Sequence, residues 1–129
     1  MKPSETGVRR LIHASRYSWL GLKAAWKSEA AIRQELCALA IMLPIALLVS
    51  VGPAEKSLLV LSALLVLLVE LINSALEAVV DRIGPEFHQL SGKAKDIGSA
   101  AVLVTLIITA FVWSIILLPL LITAVSQAL

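Results

Sequence analysis

Of the 129 residues, 59% are hydrophobic and only 16% charged, with a mean hydropathy of +0.92. Soluble domains are about 45–50% apolar, so a water-soluble globule is excluded as the first expectation and a single membrane domain over residues 1–129 takes its place. The net charge of +2 matters less than its layout: Lys2, Arg9, Arg10, Arg16, Lys23, Lys27 and Arg33 crowd the first 35 residues against Glu5, Glu29 and Glu35, and no side chain beyond Asp96 is charged. That basic end favours anionic headgroups or nucleotide phosphates, and the apolar remainder argues against nucleic acid as a partner. The lone Cys37 cannot form an intrachain disulfide, and the first 30 residues carry no cleavable-signal pattern.

Residues 1–6 are polar and expected to be loose. From Gly7 to Ser28 the apolar positions Val8, Leu11, Ile12, Trp19, Leu22 and Trp26 recur at helical spacing, with the basic residues largely off that line. The pattern predicts an amphipathic helix in the membrane interface, where His13 has an interfacial place. Gly21 to Ser28 nearly matches a phosphate-binding loop, but Trp26 stands where the second glycine is required and the stretch is helical, so the motif is rejected. Glu29 to Glu35 are strong helix formers with Glu29 and Arg33 at i,i+4.

Three apolar runs follow. Leu36 to Val51 is short for a span and must borrow from the preceding helix, giving about 30–51, with Pro44 predicting a kink. After the Gly52-Pro53 turn, Ser57 to Val80 gives about 36 Å of helix, longer than the hydrocarbon core, so its far end emerges into the headgroups. Arg82 to Asp96 is expected as a polar loop with turns at Gly84-Pro85 and Ser91-Gly92. Ile97 to Ile122 is the third span, with Trp113 and Pro119.

The emerging end of the second run carries Glu70, Asn73 and Glu77. Offsets of 3 and 7 place them within a wedge of about 60° on one helix face. A charged side chain at a bilayer centre costs about 2.5–3.5 kcal/mol on insertion scales, so such a stripe is expected to be functional; helix glue would use neutral polar residues. Basic residues hold the N-terminus in the cytoplasm, which puts the 52–56 turn and the C-terminus outside and the 82–96 loop inside. The surface helix, Glu29, the stripe and the loop then converge on the cytoplasmic surface. Glu29, Glu70, Glu77, Glu86 and Asp96 offer oxygen ligands suited to Mg²⁺, Lys95 could neutralise phosphate, and no Cys/His cluster supports zinc. Phosphoryl transfer to a membrane acceptor is the natural reaction class, although protein-kinase motifs are absent. On the residues alone, a membrane enzyme and a transporter with an interfacial acidic site both stand.

Glu70-Leu71-Ile72-Asn73-Ser74-Ala75-Leu76-Glu77 resembles the ExxNSAIE-type signature of the prokaryotic diacylglycerol kinases, and Leu90 to Val102 (LSGKAKDIGSAAV) resembles that family's second signature. Tyr17-Ser18-Trp19, Leu22 to Trp26, Glu29-Ala30-Ala31 and Arg33-Gln34-Glu35 are similar to its N-terminal segment, so the likeness runs from about Gly7 to Trp113. The resemblance implies an all-α, three-span trimer with an N-terminal surface helix in the inner membrane. It implies direct in-line transfer of the γ-phosphoryl group of MgATP to diacylglycerol, in sites shared between subunits. It implies Glu70 as general base on the lipid hydroxyl and Glu29 and Glu77 as holders of Mg²⁺ and, through it, ATP. Arg10, Tyr17, Glu86, His88, Lys95 and Asp96 would contact the nucleotide, and Asn73 would support the site. Arg10, Ala14, Trp19, Trp26, Ala31, Arg33, Glu35, Glu70, Ser99 and Trp113 would lie along the lipid path. Phe87 stands where tyrosine is expected, and Pro44 and the Leu120–Leu129 tail also depart from the pattern.

Blander readings accompany these assignments. Lys95-Asp96 could form a helix start, the three tryptophans could serve only as membrane anchors, and Ser74, Ala75, Ala78 and Gly98 to Ala101 could serve helix contacts. A kinase for undecaprenol or another membrane alcohol is the nearest alternative, and a small multidrug transporter the alternative from another class.

Overall fold

The computed structural model describes residues 6–129; the polar segment expected to be loose lies, apart from Thr6, outside them. Four helices follow in order, α1 (Gly7–Ser28), α2 (Ala30–Leu48), α3 (Pro53–Ile83) and α4 (Gln89–Ala128), and the described residues contain no strand. α2, α3 and α4 are each long and apolar enough to cross a membrane.

α1 is a surface helix: Ala25 is its one buried residue, and Trp19 and Trp26 stay exposed. It ends at Glu29, whose extended backbone (φ −119°, ψ 114°) separates α1 from α2 with neither glycine nor proline to signal a break. The Glu29 amide donates to the Ala25 carbonyl at 2.9 Å. The elbow is fastened from the other side, where Arg33 Nη1 donates to the Trp26 carbonyl at 2.7 Å and the Lys27 carbonyl at 3.4 Å. These carbonyls have no partner within their own helix, and a guanidinium in the next helix is a natural cap for them. Glu29 and Arg33, at i,i+4 spacing, meet only through the backbone, where the Arg33 amide donates to the Glu29 carbonyl at 3.3 Å, while the Arg33 side chain is engaged with α1.

α2 is 19 residues, about 28 Å long at 1.5 Å per residue, close to a hydrocarbon core of about 30 Å. Ile32, Leu39 and Ala46 are its buried residues, seven apart and so on one face. The helix continues through Pro44 to Leu48. Pro53 stands at the first position of α3, where its missing N–H costs no helical bond. Lys56 Nζ then donates to the Leu47 carbonyl, capping α2 from the first turn of α3. Glu55 and Lys56, expected in the connection, are thus helical.

The largest departure from expectation lies between α3 and α4. The polar loop shrinks from 82–96 to 84–88, because α4 starts at Gln89 and not near Ile97. Gly84 ends α3 at φ 157°, ψ 160°, a conformation essentially reserved for glycine. His88 opens α4: its Nδ1 accepts the Leu90 amide at 3.1 Å and its carbonyl accepts the Gly92 amide at 3.0 Å. Ser91-Gly92 is consequently the first turn of a helix, and Lys95-Asp96 lie well inside it, not at its start. At 40 residues α4 is about 60 Å long, twice the hydrocarbon thickness, so its polar first turns stand clear of the apolar layer.

α3 and α4 run antiparallel and are tied at three levels: Asp81 to Lys95 at the polar end, Asn73 against Gly98 in the middle, and Ser62 with Thr109 and Trp113 in the apolar region. Thr109 Oγ1 donates to the Ser62 carbonyl at 2.9 Å, and Trp113 Nε1 lies 3.2 Å from both the Leu59 carbonyl and Ser62 Oγ. Trp113 thus turns its N–H onto α3. Outward, Leu61, Leu68, Ile107, Phe111 and Ile115 are exposed, as lipid or a neighbouring helix would require.

Candidate active site at the elbow and the acidic face of α3

The elbow between α1 and α2 sets Glu29 at the level of the polar half of α3. Glu70 feels the negative charges of both Glu29 and Glu77, and Glu35 in turn feels Glu70. All four carboxylates are half-buried. Glu29 occupies the cap position of α2 without accepting any capping hydrogen bond, so its carboxylate is available to the cluster. Among the described residues no cation pairs with Glu29, Glu70 or Glu77. Like charges gathered without a counter-charge favour a bound cation. No three His, Cys, Asp or Glu groups among the described residues are close enough to form a complete metal nest. Mg²⁺ takes one or two carboxylates and completes its shell with water and substrate phosphate, so this hard-oxygen donor set fits it.

Asn73 sits between the two stripe carboxylates. Its Nδ2 donates to Glu77 Oε1 at 3.3 Å, while its Oδ1 is buried with no partner. Across from it is Gly98 of α4, buried, where a Cβ would overlap the Asn73 Oδ1.

Below the acidic face, a pocket of about 280 Å³ is lined by Val80, Asp81, Gly84, Pro85, Glu86, Phe87, His88, Ser91, Gly92 and Lys95. Lys95 Nζ is 2.6 Å from Asp81 Oδ1, and Lys95 also feels the charge of Glu77, which links pocket and acidic face. The His88 Nδ1 is occupied by the Leu90 amide, which leaves Nε2 as its free ring atom. Asp96 and Phe87 line a neighbouring depression with Gly92 and Lys93, and the Phe87 ring is 92% exposed.

On the membrane side, a largely apolar cleft of about 550 Å³ separates α1 from α3, lined by Ser18, Gly21, Leu22, Ala24, Ala25 and Ser28 on one wall and by Leu71, Ser74, Ala75 and Ala78 on the other. Trp26, Ala31 and Glu35 flank the elbow beside it, while Arg33 is held by the α1 carbonyls. Arg10, Ala14 and Tyr17 lie on the earlier, exposed part of α1, before the cleft. Trp19 is 67% exposed and Ser99 faces outward on α4. Trp113 is remote: its α3 partners Leu59 and Ser62 stand about 12–17 Å along the helix axis from Glu70. One chain therefore brings together Glu29, Glu35, Glu70, Asn73 and Glu77, with Glu86, His88 and Lys95 in the adjoining pocket. It leaves Arg10, Ala14, Trp19 and Trp113 apart from them.

Asp81 was not among the site residues expected from the sequence, and Gly98 was expected only as a small residue at a helix contact. Asp81 falls on the same helix face as Glu70, four residues past Glu77, so extending the stripe by one turn finds it. Gly98 carried no signal beyond small size, because its partner lies on another helix.

The sequence pattern of the family described as prokaryotic diacylglycerol kinase matches residues 16–117. The diacylglycerol kinase of Escherichia coli (strain K12) is 51% identical over 117 residues, 91% of this chain and 96% of that protein. The diacylglycerol kinase of Pseudomonas aeruginosa is 44% identical over 122 residues, covering 92% and 99%, and that of Helicobacter pylori (strain J99) is 42% identical over 118 residues, covering 92% of each.

Proposed function

The chain belongs to the prokaryotic diacylglycerol kinase family, and from that premise we propose a division of labour among its residues. It is a multi-pass membrane lipid kinase that phosphorylates diacylglycerol, with ATP as donor and phosphatidic acid as product. The observation that carries the site assignment is the group of carboxylates with no pairing cation among the described residues, at the height where α3 passes from apolar to polar. An enzyme joining a soluble nucleotide to a membrane alcohol needs acids at that height.

Glu70, deeper along α3, takes the proton from the diacylglycerol hydroxyl as that oxygen attacks the γ-phosphorus in line. The bond to the β-phosphate oxygen breaks and ADP leaves, with no phosphoenzyme formed. Glu29 and Glu77 would hold Mg²⁺, which neutralises phosphate charge when bound. Asn73 steadies Glu77. Lys95, His88 through Nε2, Glu86 and Asp96 receive the nucleotide, with Arg10 and Tyr17 reaching it from α1. Trp26, Ala31, Glu35 and Ser99 border the lipid's approach, and Trp19, Arg33, Ala14 and Trp113 belong to that path through packing or through a second copy. Exposed apolar faces on three thin helices support a trimer with sites shared between subunits. The basic N-terminal segment supports an inner-membrane protein with its N-terminus in the cytoplasm and its C-terminus in the periplasm.

The purified protein in mixed micelles, given ATP, Mg²⁺ and either diacylglycerol or undecaprenol, is expected to convert diacylglycerol to phosphatidic acid at a far higher kcat/KM. Preferential phosphorylation of undecaprenol would overturn the acceptor assignment while leaving the phosphoryl-transfer chemistry intact.

A further inference from the structure

We infer that Gly98 is a positioning residue for the reaction: the missing side chain seats the Asn73 amide between α3 and α4 and thereby aims Glu77. Three observations meet here. Gly98 is one of only two buried residues of α4 among those described, and it faces Asn73 and Leu76 of α3. A Cβ built on it would overlap Asn73 Oδ1, stand 3.2 Å from Asn73 Cγ and 3.3 Å from Leu76 Cδ2. Asn73 Oδ1 is buried without a hydrogen-bond partner, while Nδ2 of the same amide donates to Glu77 Oε1 at 3.3 Å.

The amide orientation follows from chemistry. Turned over, Asn73 would aim its oxygen at the Glu77 carboxylate, two acceptors facing each other. With Nδ2 on Glu77, Oδ1 must point at α4, and only a residue without a side chain leaves room for it. The Gly98 C–H along the absent Cα–Cβ direction offers that oxygen a weak contact. Glycine is disfavoured against alanine inside a helix, and an unpaired buried oxygen is unfavourable as well. Both costs sit at one point of contact, and what they secure is a fixed direction for the Glu77 carboxylate.

The inference rests on the reading that Glu77 holds the catalytic Mg²⁺, and a double-mutant cycle separates the two. Gly98→Ala should raise the Mg²⁺ concentration for half-maximal activity about tenfold, the loss expected for one hydrogen bond to a charged group, with a smaller change in kcat. Asn73→Ala should do the same, and Gly98→Ala/Asn73→Ala should be no worse than Asn73→Ala alone, because the clash is gone. Additive losses, or an unchanged Mg²⁺ requirement in Gly98→Ala, would overturn the proposal. If Gly98→Ala does not fold, the double variant decides: recovery of fold with the Asn73→Ala Mg²⁺ requirement supports seating, and continued misfolding overturns it. The side-chain amide resonance of Asn73, identified by its loss in Asn73→Ala, should move in Gly98→Ala even if the parent phosphorylates no lipid. A resonance that stays put sinks the seating, whereas an inactive parent sinks only the assigned function.

Discussion

Glu70 and Glu77 share a helix face yet are assigned different tasks, and substitution separates them. Glu70→Gln keeps the side-chain shape and removes the base; kcat should fall by about 10²–10⁴-fold, the range of general-base contributions. MgATP binding, followed by equilibrium titration, should stay within about twofold of the parent, a change that counts for little against tenfold per 1.4 kcal/mol. Glu29→Gln and Glu77→Gln should instead raise the Mg²⁺ requirement; an unchanged requirement in both would remove them as holders of the metal. Trp113→Phe deletes the N–H shared by the Leu59 carbonyl and Ser62 Oγ. Interhelical bonds in membranes average about 0.6 kcal/mol, so a small loss of thermal stability in detergent, with kcat nearly unchanged, is expected. At this scale the stripe was legible because helical periodicity acts within a single segment. Asn73's contact with Gly98 and Arg33's with the α1 carbonyls were not legible, because each joins two helices whose relative placement no local pattern encodes.

Among the elements, the elbow at Glu29 and the start of α4 set where the proposed site residues of α1 and α4 lie. Arg33→Met removes the Nη1 that makes two hydrogen bonds to the end of α1 while keeping much of the side chain's length. The last turn of α1 should loosen, seen as faster amide hydrogen exchange over residues 25–29, at a cost of about 1 kcal/mol for a partly exposed bond. Unchanged exchange would show that packing alone fixes the elbow. Arg33→Lys should rescue in part, since both contacts come from the one Nη1 and an ammonium also carries several donors. Existence and order of the four helices followed from hydrophobic runs and amphipathic spacing. Their ends were harder: Ser28-Glu29 carries no breaker, so a sharp turn hid inside good helix formers. Conversely, Ser91-Gly92 has the composition of a turn, but a His88 cap and the Lys93-Ala94-Lys95 helix formers carry it into α4. Capping from the next helix overrode local propensity at the elbow, and a local His88 cap did so at the start of α4.

At the scale of the whole molecule, the apolar surface and the openness of the acidic face belong together. A single chain presents broad apolar helix faces and leaves Glu29, Glu70 and Glu77 half-exposed, and the proposed sharing of sites between subunits would cover them. Mixing Glu70→Gln chains with Glu29→Gln chains should restore part of the activity if sites draw on two subunits; no recovery in co-reconstituted vesicles would confine each site to one chain. The membrane class was legible from composition, since a 59% apolar chain with three long apolar runs exceeds what a soluble domain of this length carries. The largely apolar outward faces carry no register that would mark a contact between copies. The central claim is that Glu70 moves a lipid proton while phosphate passes from ATP to diacylglycerol. Its most direct test is transfer of label from γ-³²P-ATP into chloroform-extracted lipid, with parent and Glu70→Gln protein side by side in diacylglycerol-containing vesicles. Labelled phosphatidic acid from the parent and essentially none from the variant, at equal MgATP occupancy, is the predicted result; equal labelling by both, or no labelled lipid from the parent, would contradict it.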